Sequence, residues 1–125
     1  MLSRKVASQL KEIETPFYLY DIKLLRQTLE SVVYESNKYG YKVHYAIKAN
    51  YDDYLLNIIR ECGLGIDCAS GNELKKAIEA GFDPKKIVYA GVGKRDKELK
   101  YAIEQEILAI NVESLEELFL LDKLS

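Results

Sequence analysis

Four short apolar runs recur along this chain at nearly even intervals, and that repeat constrains the fold more than any other feature. The runs cover residues 43–47, 64–68, 87–90 and 107–112, with centres near 45, 66, 89 and 110. An interval of roughly 22 residues suits one strand plus one helix per unit. The runs are rich in the β-branched and aromatic residues that fit a pleated surface. Each is followed by an amphipathic segment: Leu55, Ile58, Ile59 and Cys62 after the first, Leu74, Ala77 and Ile78 after the second, Leu99, Ala102 and Ile103 after the third, Leu118, Leu121 and Leu124 after the fourth. Apolar strands alternating with such helices predict a parallel sheet covered by helices. Four units fit either a small open sheet or half of an eight-fold α/β barrel, and the pattern alone does not separate them. The chain finishes at Ser125, in or just after an apolar helix face with no closing element. That favours the half-barrel and reads as a fragment, whose unpaired strand edges would make the isolated piece prone to aggregate.

The punctuation agrees with the repeat. Gly40, Gly63 and Gly81 stand where helices should stop. Ser70 with Glu73, and Ser114 with Glu117, have the spacing of capping boxes, while Asp21 and Asp96 are placed to cap the helices that follow them. Ahead of the repeat, residues 1–14 form a charged helical lead-in with Val6, Leu10 and Ile13 on one stripe. Thr15-Pro16 breaks it, because a residue before proline is pushed out of the helical region. Residues 17–20, Phe-Tyr-Leu-Tyr, are then a compact strand candidate. The chain divides into residues 1–21, a lead-in and strand, and residues 22–125, the βα repeat.

Composition excludes several classes. A length of 125 residues allows one ordinary domain, and a formal charge of −2 offers no surface for nucleic acid. No apolar run approaches the roughly 20 residues of a membrane helix, and the first ten residues lack the apolar core of a signal peptide. Cys62 and Cys68 match neither a redox pair nor a metal knuckle, and one histidine cannot complete a zinc site with them. Both read as small core residues, and the whole fits a cytoplasmic protein.

The chemistry is expected at Lys48. The run 43–47 alternates Val43, Tyr45 and Ile47 on one face with His44, Ala46 and Lys48 on the other. It delivers a lysine to the carboxyl end of a strand, above a residue as small as Ala46. That end is where ligands bind in open α/β sheets and in barrels alike. A lysine there is otherwise simply the polar stop before a loop. Asp67 lies near the carboxyl end of the next run, flanked on its face by Gly65 and Ala69. A carboxylate in an apolar strand needs a cation or donors, and Lys48 is one partner; capping the following turn is the alternative role. Glu73 is foremost a capping residue. His44, low on its strand, reads as a core histidine with a local hydrogen-bond partner. Asn50 and Asn111 could orient a ligand or simply shape turns. Gly91-Val92-Gly93-Lys94-Arg95 fails as a phosphate loop, with Val88 where its first glycine should be and Arg95 in place of Ser/Thr, and stands as a tight βα turn.

Five segments also carry a family resemblance. Thr-Pro-Phe-Tyr-Leu-Tyr-Asp at 15–21, Tyr-Ala-Ile-Lys-Ala-Asn at 45–50, Gly-Ile-Asp-Cys-Ala-Ser-Gly-Asn-Glu-Leu at 65–74, Ala-Gly-Val-Gly-Lys at 90–94 and Asn-Val-Glu-Ser at 111–114 occur in order. Together they resemble the amino-terminal part of the diaminopimelate decarboxylases, within the fold-type III pyridoxal-phosphate decarboxylases. The second segment is typical of the wider group, and the last two point to the diaminopimelate branch. Asp-Cys-Ala-Ser departs from it, the cysteine form being familiar from ornithine decarboxylases. The resemblance implies the amino-terminal half of an alanine-racemase-like barrel, with 17–20 belonging to a second, β domain. It implies pyridoxal phosphate as cofactor, held by a Schiff base to Lys48 with Asp67 close by, an amino-acid substrate, and a homodimer at full length. The phosphate loop, the carboxylate facing the pyridine nitrogen, the ring-stacking histidine and the substrate arginine of that family come later than residue 125, so these residues alone are expected to be inactive. An ornithine- or arginine-type decarboxylase, a non-catalytic pyridoxal-phosphate barrel and a decayed fragment that binds nothing are the other readings.

Overall fold

The computed structural model describes residues 4–125, so the first three residues of the expected lead-in lie outside it. Helix α1 (Arg4–Leu10) precedes α2 (Ile22–Asn37), whose start is capped by Asp21, with Oδ1 accepting from the Leu24 amide at 3.0 Å. Then come β1 (His44–Ala46), α3 (Asp53–Glu61), β2 (Gly65–Cys68), α4 (Gly71–Glu79), β3 (Ile87–Tyr89), α5 (Asp96–Glu104), β4 (Ala109–Ile110) and α6 (Leu115–Leu124). The strands form one parallel sheet in the order β1-β2-β3-β4. Parallel neighbours joined by right-handed crossovers place successive helices on the same side.

The register shows how the two faces differ. Tyr45, Ile66 and Ile87 form one row across the sheet, and Cys68, Tyr89 and Ile110 the next. These residues meet Leu56, Ile58 and Ile59 of α3, Leu74 and Ala77 of α4 and Ala102 of α5 in a single core, most of them without measurable exposure. Burying a side chain such as Ile66 stabilises the fold by roughly 1.5–3 kcal/mol, and truncating it to alanine would cost about 2–5. The alternate row, Ala46, Asp67, Val88 and Ala109, carries the opposite face. There Asp67 and Val88 are only half-buried and Ala109 is exposed. The helices therefore dress one side of the sheet and leave the other open.

The predicted units are all present, with differences at their ends. The run 43–47 stops being a strand at Ala46, and residues Ile47–Ala49 make a 3-10 turn, so Lys48 leaves the strand alternation. The fourth strand is only Ala109–Ile110, shorter than 107–112. Residues 17–20 form no strand: a strand is defined by a hydrogen-bonded partner, and no described strand pairs with them. Their side chains stay exposed, Tyr18 at 90%. Asp96 does not cap α5; the Arg95 amide instead donates to Glu98 Oε2 at 2.9 Å. At Ser70 the cap half of the expected box forms, with Ser70 Oγ accepting from the Glu73 amide, while Glu73 Oε2 reaches one residue further back and accepts from the Ala69 amide at 2.7 Å instead of the Ser70 amide. At Ser114 only half of the box is made, because the Glu117 carboxylate is engaged elsewhere.

Candidate functional site at the carboxyl ends of the strands

Lys48 sits just past the carboxyl end of β1, in the turn Ile47–Ala49. Ile47 is fully buried and anchors the turn to the core, whereas Lys48 and Ala49 are exposed. Among the described residues nothing pairs with the Lys48 amine, so it is available to a ligand. A cleft of about 530 Å3 opens beside it, lined also by Ile47, Tyr51, Ser70, Asn72 and Glu73. Lys76, on the far wall, is tied by its Nζ to Asp53 Oδ1 at 2.6 Å, joining α4 to α3. A smaller recess of about 230 Å3 lies at the amino ends of the strands, between Lys42, His44, Gly65 and Lys86, remote from Lys48.

Asp67 is the register partner of Ala46, one strand over from Lys48. No ion pair joins Asp67 to Lys48, contrary to the expected partnership. Nor does Asp67 cap the following turn, since Ser70 does. Its carboxylate stands half-buried on the open sheet face without a cation. With Ala46 beside it and Gly65 below, that face has no bulky side chain above β1 and β2 except His44. The histidine ring lies over Gly65, where an added Cβ would come 2.6 Å from His44 Nε2 and from the Lys86 carbonyl oxygen. No side-chain hydrogen bond holds His44 among the described residues, so the expected local partner is not found. The unpaired Lys48 amine borders the cleft beside α4, whereas Asp67, Ala46 and Gly65 line the open sheet face and are not part of that cleft's wall.

The loops that frame this edge are locked to one another. Gly91, at φ 121°, lets β3 leave so close to the β2 loop that a Cβ would meet the Ala69 carbonyl oxygen at 2.7 Å. Gly71 likewise makes room for the Glu98 side chain. Lys94, in the glycine turn after β3, is the group that sequence reasoning missed. Its side chain is 1% exposed, its Nζ donates to Glu117 Oε1 at 2.7 Å and to the Asn111 carbonyl oxygen at 2.8 Å, and it lies 5.8 Å from the Tyr89 ring centroid. It lashes α6 to the ends of β3 and β4 rather than facing a ligand. Asn111 thus serves through its backbone. Asn50 is a turn residue: its Oδ1 accepts from the Asp52 amide at 2.9 Å, its Nδ2 donates to the Tyr20 hydroxyl at 2.8 Å, and its carbonyl oxygen accepts from the Tyr45 hydroxyl at 3.1 Å.

Burial pushes the Tyr45 hydroxyl above its ordinary range, partly offset by the bond to Asn50. The Tyr89 hydroxyl is pushed up to about 12, by burial first and then by the charges of Glu98 and Glu117. Cys68 rises to about 12 for the same first reason, reinforced by Glu73 and Asp67. It points into the core, fully buried, and Cys62 is half-exposed; neither is in a disulfide, and no metal-binding cluster exists among the described residues. No helix among them is long and apolar enough to cross a membrane.

Known proteins share this sequence and fold. The chain is 49% identical over 116 residues to a diaminopimelate decarboxylase of Bacteroides thetaiotaomicron, a match that covers 92% of this chain and 30% of that protein. The crystal structure of diaminopimelate decarboxylase from Helicobacter pylori complexed with L-lysine superposes with a TM-score of 0.82 at 35% identity, over 95% of this chain and 30% of that one. Ornithine decarboxylase from Entamoeba histolytica superposes less closely, with a TM-score of 0.69 at 29% identity, over 80% and 30% of the two chains. The chain spans 26 to 30% of the length of the first curated relatives it matches. Residues 23–125 match the model of the pyridoxal-dependent decarboxylases, pyridoxal binding domain, and the chain belongs to that family.

Proposed function

We propose that Lys48 is the cofactor lysine of a pyridoxal-phosphate-dependent decarboxylase that converts meso-diaminopimelate to L-lysine and CO2. The observation that carries this reading is the unpaired Lys48 amine at the carboxyl end of β1, within the Tyr-Ala-Ile-Lys-Ala-Asn segment. When bound, pyridoxal phosphate supplies an electron sink for the carbanion left as CO2 departs. Lys48 is the residue that would hold that group, through a primary amine that has to be neutral to bond an aldehyde. Free of that bond, the same amine would be able to carry a proton to or from a nearby carbon. Arginine could do neither, since it stays protonated in proteins. Asp67 offers a carboxylate on the open sheet face one strand over, where Ala46 and Gly65 leave space.

The substrate reading rests on the family branch. Asp-Cys-Ala-Ser, where that branch more often shows Asp-Val-Val-Ser, differs at Cys68, whose side chain is buried in the core, and at Ala69, which is exposed just past β2. Diaminopimelate is favoured by the other segments of the branch, and the Cys68 difference faces the helices rather than the open sheet face. The exposed apolar side chains of 17–20 support contact with a second, β domain, and the parent protein is read as a cytoplasmic homodimer.

The test uses the protein as its own cell makes it. Reduction with borohydride in the presence of pyridoxal phosphate should leave a mass adduct on Lys48, and turnover should be greatest with meso-diaminopimelate. Lys48→Ala should lose both while remaining soluble. Turnover retained in that variant would sink the mechanism, and a preference for ornithine or arginine would sink the substrate.

A further inference from the structure

The turn that presents Lys48 is held by more bonds than its two exposed residues would need. Ile47 enters it fully buried. At the other end Asn50 makes three hydrogen bonds, to three separate parts of the molecule. Its carbonyl oxygen accepts from the hydroxyl of Tyr45, whose ring packs against the core below the turn. Its Oδ1 accepts from the Asp52 amide, and Asp52 Oδ1 in turn accepts from the Tyr54 and Leu55 amides at the start of α3. Its Nδ2 donates to the hydroxyl of Tyr20, in the segment ahead of α2. A side chain of this length that both donates and accepts is an amide; a carboxylate lacks the donor and a leucine lacks both.

We infer that Asn50, strapped by Tyr45 from the strand and by Tyr20 from the outer segment, is a positioning residue that fixes the Lys48 backbone so that only its side chain is left to move. This rests on the reading of Lys48 as the cofactor lysine. A reacting amine gains from being held near its attack geometry, because the ordering is done before the reaction begins. The straps do that without touching the lysine amine, which must remain free. The inference also gives the 17–20 segment a role at the site through Tyr20, whatever else covers its exposed face.

The experiment compares Tyr45→Phe, Tyr20→Phe and Asn50→Leu with the unaltered protein as its cell makes it, with Tyr18→Phe as control. Tyr18 stacks on Tyr20, with ring centroids 6.4 Å apart, and makes no bond to the turn. Three quantities are read: the rate at which pyridoxal phosphate becomes borohydride-trappable on Lys48, amide hydrogen exchange along the chain, and kcat and KM for the amino acid. Tyr45→Phe and Tyr20→Phe should each slow trapping by roughly three- to tenfold, the factor that one net hydrogen bond carries, and Asn50→Leu, which loses two, by more. Exchange should quicken over residues 47–52 alone, and kcat should fall with KM unchanged. Tyr18→Phe should match the unaltered protein. Trapping and exchange unchanged in Asn50→Leu would overturn the inference while leaving the cofactor reading intact. Faster exchange spread over β1, β2 and α3 with unaltered trapping would overturn it too, by showing a purely structural role. If the unaltered protein forms no adduct on Lys48, the cofactor reading falls first and this inference with it.

Discussion

Replacing Lys94 with methionine tests whether a buried charge holds the last described helix in place. The Lys94 side chain is 1% exposed and that of Glu117 is 12% exposed, at 2.7 Å. Methionine keeps most of the aliphatic stem but leaves Glu117 and the Asn111 carbonyl oxygen without their donor. Removing one partner of a fully buried pair costs about 3–5 kcal/mol. Helix α6 buries none of its own residues, so Glu117 can swing part-way into water when released. The expected loss is therefore smaller, about 2–3 kcal/mol, between the buried-pair figure and a single charged hydrogen bond. Urea unfolding of the protein as its cell makes it, with the midpoint compared at constant slope, reads this directly. Adding Glu117→Gln should recover part of the loss, because the stranded charge is gone; the cycle should return a coupling of about 1–2 kcal/mol. A single-variant loss under about 0.5 kcal/mol is what an exposed pair gives, and it would refute the tie.

Three further outcomes are expected. Gly91→Ala should destabilise the fold by about 1–3 kcal/mol, since φ 121° is strained for any other residue and its Cβ would meet the Ala69 carbonyl oxygen; an unchanged unfolding midpoint would contradict that close approach. In the native protein a chromogenic disulfide reagent at pH 8 should titrate Cys62 and leave Cys68 untouched, while denaturant should release both; rapid native reaction of Cys68 would contradict its burial. The Arg95 side chain, first through its hydrogen bond to Glu98 and then with the Arg95 amide, holds the Glu98 carboxyl below its usual value, so its stabilising contribution is present above the ordinary carboxylate range and is lost as pH falls through the lowered value. Arg95→Met should raise the Glu98 pKa and flatten the acid limb of the stability profile, as carboxyl NMR titration and acid unfolding would show; an unmoved Glu98 titration would refute it.

Much of this structure is legible in the sequence because it depends on short-range pattern. Period-2 runs with small or β-branched residues gave the strands, and Ser70 with Glu73 gave a cap four residues wide. Lys48 was visible because a lysine closing an apolar run stands out locally. The missed features are those set by partners distant in sequence. Lys94 looks like a surface charge in a glycine turn, yet its acceptors lie 17 and 23 residues further on. β1 ends early in a turn closed by a bond from the Tyr45 hydroxyl to the Asn50 carbonyl oxygen, a contact that no propensity reports. Residues 17–20 have strand composition, but composition supplies no partner. The expected Asp67–Lys48 pair failed because adjacency of strands does not place two side chains within reach once one of them has left the strand.

Because the strands lie in the same order as they occur in the chain, the molecule can be assembled in the direction of synthesis. Each new strand finds its docking edge already made by the strand before it, and each helix closes over a surface that has just emerged. Parallel sheets fold slowly when their neighbours are far apart in sequence, since the intervening loop must be closed before pairing rewards it. Here every pairing spans a single helix, so that delay is kept as short as a parallel sheet permits. The glycines that let one loop nest against the next tie adjacent units together: Gly71 lies against the Glu98 side chain and Gly91 against the Ala69 carbonyl oxygen, so each nest needs two units to be complete.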